Sequence, residues 1–96
     1  MENAIELARR LVDALEDKKG ENIVLMDIHT QCSFADYFVL CSGASERQLR
    51  ALADAVDEAA SKEFSLQPRH IEGKPETGWI LIDLGDVIVH VFSPTR

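Results

Sequence analysis

The chain is short of cysteine, of cations and of long apolar runs, and each shortage removes a class of function. Cys32 and Cys41 are the only cysteines. Two are too few for a disulfide scaffold, and buried reduced thiols are the expectation for both. Ten Lys and Arg face 17 Asp and Glu, a formal net charge of −7. That balance argues against direct binding to nucleic acid, which is driven by counterion release through Lys and Arg. It leaves room for a basic protein partner, which an acidic surface would steer inward. No apolar run approaches the ~20 residues needed to cross a bilayer. The opening MENAIELARR carries acids early and lacks an apolar signal core, so it does not read as a targeting peptide, and a cytoplasmic protein is expected. No Gly-x-Gly-x-x-Gly and no phosphate loop is present. What remains is ordinary globular material: 96 residues, 46% hydrophobic, enough for a single domain over residues 1–96 and too little for two.

The apolar pattern divides this domain into elements. Ile5, Ala8, Leu11, Val12 and Leu15 recur at three and four residues and form the stripe of a first helix. Asn3 is placed to cap it, with Glu6 at the capping-box position. Lys18, Lys19 and Gly20 supply cations and a glycine at its end. NIVLMDI, residues 22–28, reads as a short buried strand, and DYFVLCS, residues 36–42, as a second one rich in aromatic and β-branched groups. Ser45 opens a long helix, with Gln48 completing a capping box. Leu49, Leu52, Ala53, Val56 and Ala60 form its buried stripe. Arg47, Arg50, Asp54, Asp57, Glu58 and Lys62 fall on a solvated side. Pro68 and GKPETG mark turns, and RHIEG between them suits a short edge strand. Two further strands follow, at 78–84 and 86–93. The order is α, β, β, α and then two or three β, which makes an α/β protein with a mixed sheet and helices packed on it.

The last two strands, WILIDLGDVIVHVF, contain more than a core needs. Gly85 and Asp86 suit the tip of a two-residue type II′ turn. Leu84 then pairs with Val87, Ile82 with Val89 and Ile80 with Val91, all aliphatic and all on one face. The other face receives Trp79 opposite Phe92, Leu81 opposite His90, and Asp83 opposite Ile88. A second core layer rarely includes an aspartate and a histidine. A solvated face rarely includes Trp, Phe and Leu. Aromatic anchors with a few polar groups are typical of a protein interface. The competing reading is that these groups line the rear of the sheet beneath the domain's own loops. The partner-binding candidates are therefore Trp79, Leu81, Asp83, His90 and Phe92. A slip of one residue in the turn would exchange the two faces, so the assignment depends on that register.

Other chemistry is poorly served. Asp27, Asp36, Asp83 and Asp86 lie in or beside strands, and paired carboxylates can hold Mg²⁺ for nucleotide transfer. The Gly43–Ser45 turn before a helix faintly resembles a nucleotidyltransferase signature, but that signature needs two acids one residue apart on the next strand. Asp83 and Asp86 are three apart and straddle the turn, where Asp86 suits a turn role. A divergent Mg²⁺-dependent nucleotidyltransferase using Asp27, Asp36 and Asp83 remains the enzymatic alternative. His29 and Cys32 offer one close pair of zinc ligands where a structural site needs two. Cys41 has no neighbouring His in sequence, and a buried strand thiol is the reading favoured for it. The Arg47–Arg50 pair is one charged helix edge, too little for an RNA site.

ADYFVLCSGASERQ (35–48) followed by WILIDLGDVIVHVF (79–92) resembles the ribosomal silencing factor family, also called RsfS or Iojap, over nearly the whole chain. The resemblance implies a fold like that of nucleotidyltransferases without their catalytic residues, and therefore no enzyme and no cofactor. It implies a homodimer that binds the large ribosomal subunit through its fourteenth protein, blocks joining of the small subunit and lowers translation when nutrients are scarce. A role in large-subunit assembly is implied as well. The family's tryptophan, strand acid and histidine correspond to Trp79, Asp83 and His90, members of the mixed face. Family members usually continue with a tail of the form R-x-x-Y-x-L-E-x-L-W, whereas this chain stops at Arg96. Either it is truncated or the protein is short. Cys41 stands where alanine is common.

Overall fold

Alternation along the strands decides what the fold must cover. The computed structural model describes residues 4–94. Helix α1 (Ala4–Asp17) leads into strands β1 (Glu21–Asp27) and β2 (Tyr37–Ser42), followed by helix α2 (Glu46–Phe64). Strand β3 (His70–Lys74), a 3₁₀ turn (Pro75–Thr77), β4 (Trp79–Asp83) and β5 (Val87–Phe92) complete the order. The five strands form one sheet in the order β1-β2-β5-β4-β3. β2 and β5 pair in parallel and the other neighbours are antiparallel, so the sheet is mixed and the α/β class is the one observed.

Both helices lie on one face. A single core cluster joins Leu7, Leu11 and Leu15 of α1 and Leu49, Leu52 and Val56 of α2 to Val39, Ile80, Ile82, Val87, Val89 and Val91 of the strands. The helices run antiparallel. Gln48 near the start of α2 donates through Nε2 to the Lys19 carbonyl at 2.8 Å, and near the opposite end Arg10 Nε donates to Glu63 Oε2 at 2.6 Å. The charges assigned to the solvated side of α2 are all exposed.

Local signals explain most boundaries. Ser45 caps α2 by accepting the Gln48 N–H at 3.1 Å. Gln48 reaches back one residue further than a capping box requires and accepts the Ala44 N–H at 2.8 Å. Leu84 N–H donates to the Val87 carbonyl at 2.9 Å, and Gly85 has φ +95, the left-handed first position of a type II′ turn. Every pair expected in this hairpin occurs, from Trp79–Phe92 to Asp83–Ile88. RHIEG forms the expected edge strand, shifted by one residue.

Three expectations change, and a fourth is neither met nor contradicted. The proposed Asn3 cap lies outside the described residues. The buried stripe of α1 is Ala4, Leu7, Ala8, Leu11, Ala14 and Leu15, with Ile5 and Val12 at its margin. In α2, Ala59 is buried and Ala53 only partly so. β1 is not a buried strand: it lies at the sheet edge, and Val24, Leu25 and Met26 are exposed. Burial depends on neighbours in the sheet, and an edge strand has only one.

The end of α1 also works differently. Lys19, not Gly20, takes the left-handed position (φ +62). Gly20 is needed for space: a Cβ there would lie 2.4 Å from Cys41 Sγ, 3.1 Å from Leu52 Cδ2 and 3.2 Å from the Leu15 carbonyl. Gly20→Ala is therefore expected to lower stability by about 1–3 kcal/mol through overpacking. Adding Cys41→Ala removes the closest atom and should restore part of the loss. Urea unfolding of both single variants and the double variant measures the coupling, and simple additivity would contradict this packing account.

Candidate protein-binding face

With both helices on one side, no helix among the described residues lies over the opposite side of the sheet. Strand alternation places Trp79, Leu81 and Asp83 of β4 on that side, and the register sets them across from Phe92, His90 and Ile88 of β5. The five candidate residues therefore stand together. Parallel pairing with β2 adds Phe38 opposite Ile88 and Leu40 opposite His90. Antiparallel pairing with β1 adds Met26 opposite Phe38 and Val24 opposite Leu40. On the other flank β3 contributes His70, Glu72 and Lys74, opposite Asp83, Leu81 and Trp79. Phe38, Leu40, Val24 and Met26 were not among the sequence candidates. Alternation within YFVLCS was the available signal for the first two.

The face has two unlike ends. At the Asp83 end, the connection between β1 and β2 folds back over the sheet. Ile28 and Ala35 bury Ile88 there, with Cys32, Phe38 and Leu81 packed around them. This end realises the loop-covered arrangement. At the other end Trp79 remains 37% exposed, its ring edge against Gly73 of β3. Phe92 and Leu40 are half-buried beside open solvent.

The polar members are held in different ways. One Asp83 carboxylate oxygen, Oδ1, accepts the Gly85 N–H at 2.8 Å, which organises the turn as well as charging the face. His90 lies half-buried with its ring nearly edge-on to Phe38, centroids 5.1 Å apart at 67°. Burial pulls its pKa below the ordinary 6.5, so the neutral imidazole is the resting form near neutral pH.

The remaining chemical candidates are engaged elsewhere. Asp27 is paired with the ring and backbone of His29, and this lowers the aspartate pKa and raises that of the histidine. Asp36 enters the sheet ladder through its backbone, its N–H donating to the Asp86 carbonyl at 2.7 Å. Cys41 is fully buried and desolvation pushes its thiol up to about 11, far from a reactive thiolate. Among the described residues no group of three or more His, Cys, Asp or Glu is arranged to hold a metal ion. No helix among them is long and apolar enough to cross a membrane.

A family model described as "Ribosomal silencing factor during starvation" matches residues 1–96. The chain belongs to the ribosomal silencing factor family. It is 40% identical over 87 residues to "Ribosomal silencing factor RsfS" of Halalkalibacterium halodurans, covering 91% of this chain and 74% of that one. A crystal structure of a Chromobacterium violaceum protein superimposes with a TM-score of 0.88 at 35% identity, over 95% of this chain and 75% of that one. The more distant mouse protein "Mitochondrial assembly of ribosomal large subunit protein 1" is 29% identical over 86 residues, 88% of this chain and 38% of its own length. Membership of the ribosomal silencing factor family gives the unhelixed face a context: these proteins are named for an effect on the ribosome, not for a reaction.

His90 gives this face a pH signature. Its depressed pKa means that the unfolded chain binds a proton more readily than the fold does. The associated stability is present above the unfolded value near 6.5 and is lost as pH falls towards the folded value. Between about pH 7.5 and about pH 5.5, wild type should lose more thermal stability than His90→Gln. His29, shifted the other way, is common to both proteins and cancels in the comparison. Parallel melting curves for the two proteins across that range would contradict a buried neutral His90.

Proposed function

We propose that this chain is a binding module, not an enzyme, that docks on the large ribosomal subunit by the unhelixed face of its sheet. The observation that carries the reading is the exposed Trp79–Phe92 end of that face, in a family named for ribosomal silencing. An exposed apolar patch on a small domain usually meets a partner. Trp79, Phe92 and Leu81 provide the apolar anchors, and His90 packs edge-on against Phe38 beside them. Asp83 and the net charge of −7 complement a basic ribosomal protein. We take that protein to be the fourteenth of the large subunit and the consequence to be steric: a domain seated on the joining surface excludes the small subunit and lowers translation. The mouse relative's name supports an additional role in large-subunit assembly. We further propose that the chain acts in the cytoplasm and associates as a homodimer when not on the ribosome.

Sedimentation with isolated ribosomal subunits tests this directly. Wild type should travel with the large subunit and reduce its joining to the small one. Trp79→Ala should weaken binding by about 2 kcal/mol or more, roughly thirty-fold, while leaving the fold intact, because the tryptophan lies outside the main core. Unchanged binding by a folded Trp79→Ala variant would remove the face from the proposal. Travel with the small subunit would remove the function.

A further inference from the structure

The sheet has two free edges, and they are defended unequally. β3 is five residues long, carries His70, Glu72 and Lys74, and is broken in its regularity by Gly73 at φ +83. Short, charged and irregular edges are how sheets avoid unwanted strand pairing. β1 is seven residues long and bulges between Glu21 and Val24, with Asn22 at φ +52, but its ladder is regular from Val24 to Asp27 and it carries no charge from Asn22 to Met26. Val24, Leu25 and Met26 are 45%, 37% and 41% exposed. Among the described residues no strand pairs on its outer side.

The ladder shows which groups that edge presents. Tyr37 and Gly43 direct their N–H groups to the Asp86 and Phe92 carbonyls, on the β5 side. The even-numbered residues of β2 therefore turn their backbone groups to β1. Their partners Met26 and Val24 are occupied inward, which leaves Leu25 and Asp27, in the regular part of the ladder, with N–H and C=O directed outward. Acids close both ends of this open stretch: Glu21 at one and Asp27, held ionised by His29, at the other.

From this arrangement we infer that the β1 edge is a strand-addition site for an extended protein segment with an uncharged centre and a Lys or Arg at each end. The added strand would take its hydrogen bonds from Leu25 and Asp27 and lay alternate side chains beside Val24 and Met26. Its terminal cations would meet Glu21 and Asp27. A second copy of the chain fits less well. In the antiparallel register that overlaps the two strands fully, Glu21 of each copy stands opposite Asp27 of the other, and directly opposed like charges destabilise a sheet. The site adjoins the docking face proposed above at Val24 and Met26, but its hydrogen bonds come from the backbone edge of β1 and it does not use Trp79.

The probe is a capped, fluorescein-labelled heptapeptide, Lys-Val-Thr-Val-Thr-Val-Lys, with Glu-Val-Thr-Val-Thr-Val-Glu as its acidic counterpart, followed by fluorescence anisotropy. The basic peptide should bind and the acidic one should not. Leu25→Pro removes an outward N–H without breaking the β1–β2 ladder, and Leu25→Lys places a cation at the centre of the edge. Each should weaken binding roughly ten-fold or more. Leu25→Thr keeps the N–H and should bind within about three-fold of wild type. Glu21→Gln and Asp27→Asn should each cost about three-fold, and less as salt rises. Trp79→Ala should bind the peptide as wild type does. Circular dichroism checks each variant, and Leu25→Lys with its exposed side chain keeps the test open if the proline variant does not fold. Absent binding of the basic peptide by wild type, undiminished binding by Leu25→Pro or Leu25→Lys, equal binding of the acidic peptide, or loss with Trp79→Ala would each overturn the site. So would a dimer of the free chain that Leu25→Lys dissolves, which would assign the edge to a second copy.

Discussion

Two residues at the tip of the last hairpin decide what both sides of this sheet are for. Side chains alternate with a period of two, so the pairing set at Gly85 and Asp86 determines whether Ile80, Ile82, Val87, Val89 and Val91 or Trp79, Leu81, His90 and Phe92 meet the helices. Gly85 adopts a φ of +95 that side-chain-bearing residues rarely reach, and Asp83 holds its N–H. The strand acid thus belongs to the turn as much as to the exposed face. Because β5 pairs on both sides, with β4 and with β2, the same register carries across the centre of the sheet. Val39 and Cys41 join the core, while Phe38 and Leu40 join the opposite face.

This dependence explains how much was legible beforehand. The hairpin register, the edge position of β3, the cap at Ser45 and the solvated face of α2 all follow from contacts close in sequence, and the structure shows each of them. The five candidate face residues sit on that hairpin, so their juxtaposition could be worked out from one turn. The rest of the face could not. Phe38 and Leu40 enter because α2 returns the chain so that β5 lies parallel to β2, a pairing made between strands more than forty residues apart. NIVLMDI reads as buried because its composition is that of a buried strand. Its place at the edge is set by which strands pair with β2, and nothing local to residues 22–28 records that. Gly20 is similar: its sequence position suggests a helix stop, but its neighbour Cys41 is supplied by the sheet.

The division of the sheet into two faces also divides the consequences of substitution. The helix-covered face holds the main cluster, and changes there act on stability through cavities or overpacking. The opposite face holds only the small cluster of Ile28, Ala35 and Ile88 at one end. Its other end contributes little burial within the domain. A tryptophan kept 37% exposed there adds little to folding compared with what it can add to binding. The loop between β1 and β2 sharpens this separation, because it anchors the Asp83 end and leaves the Trp79 end clear.

A face built this way needs support from behind, and the core supplies it. Strands β4 and β5 present their outward residues from a backbone whose inward residues are almost wholly buried, with Ile82, Val87, Val89 and Val91 at 1% exposure or less. Trp79, Leu81, His90 and Phe92 therefore stand on a backbone seated firmly by the core. Prior ordering reduces what association must spend on immobilising side chains. In the binding role proposed above, the gain would then come from rigid complementarity. The unbroken aliphatic layer of the hairpin and the mixed layer behind it are thus one device: the first holds still what the second presents.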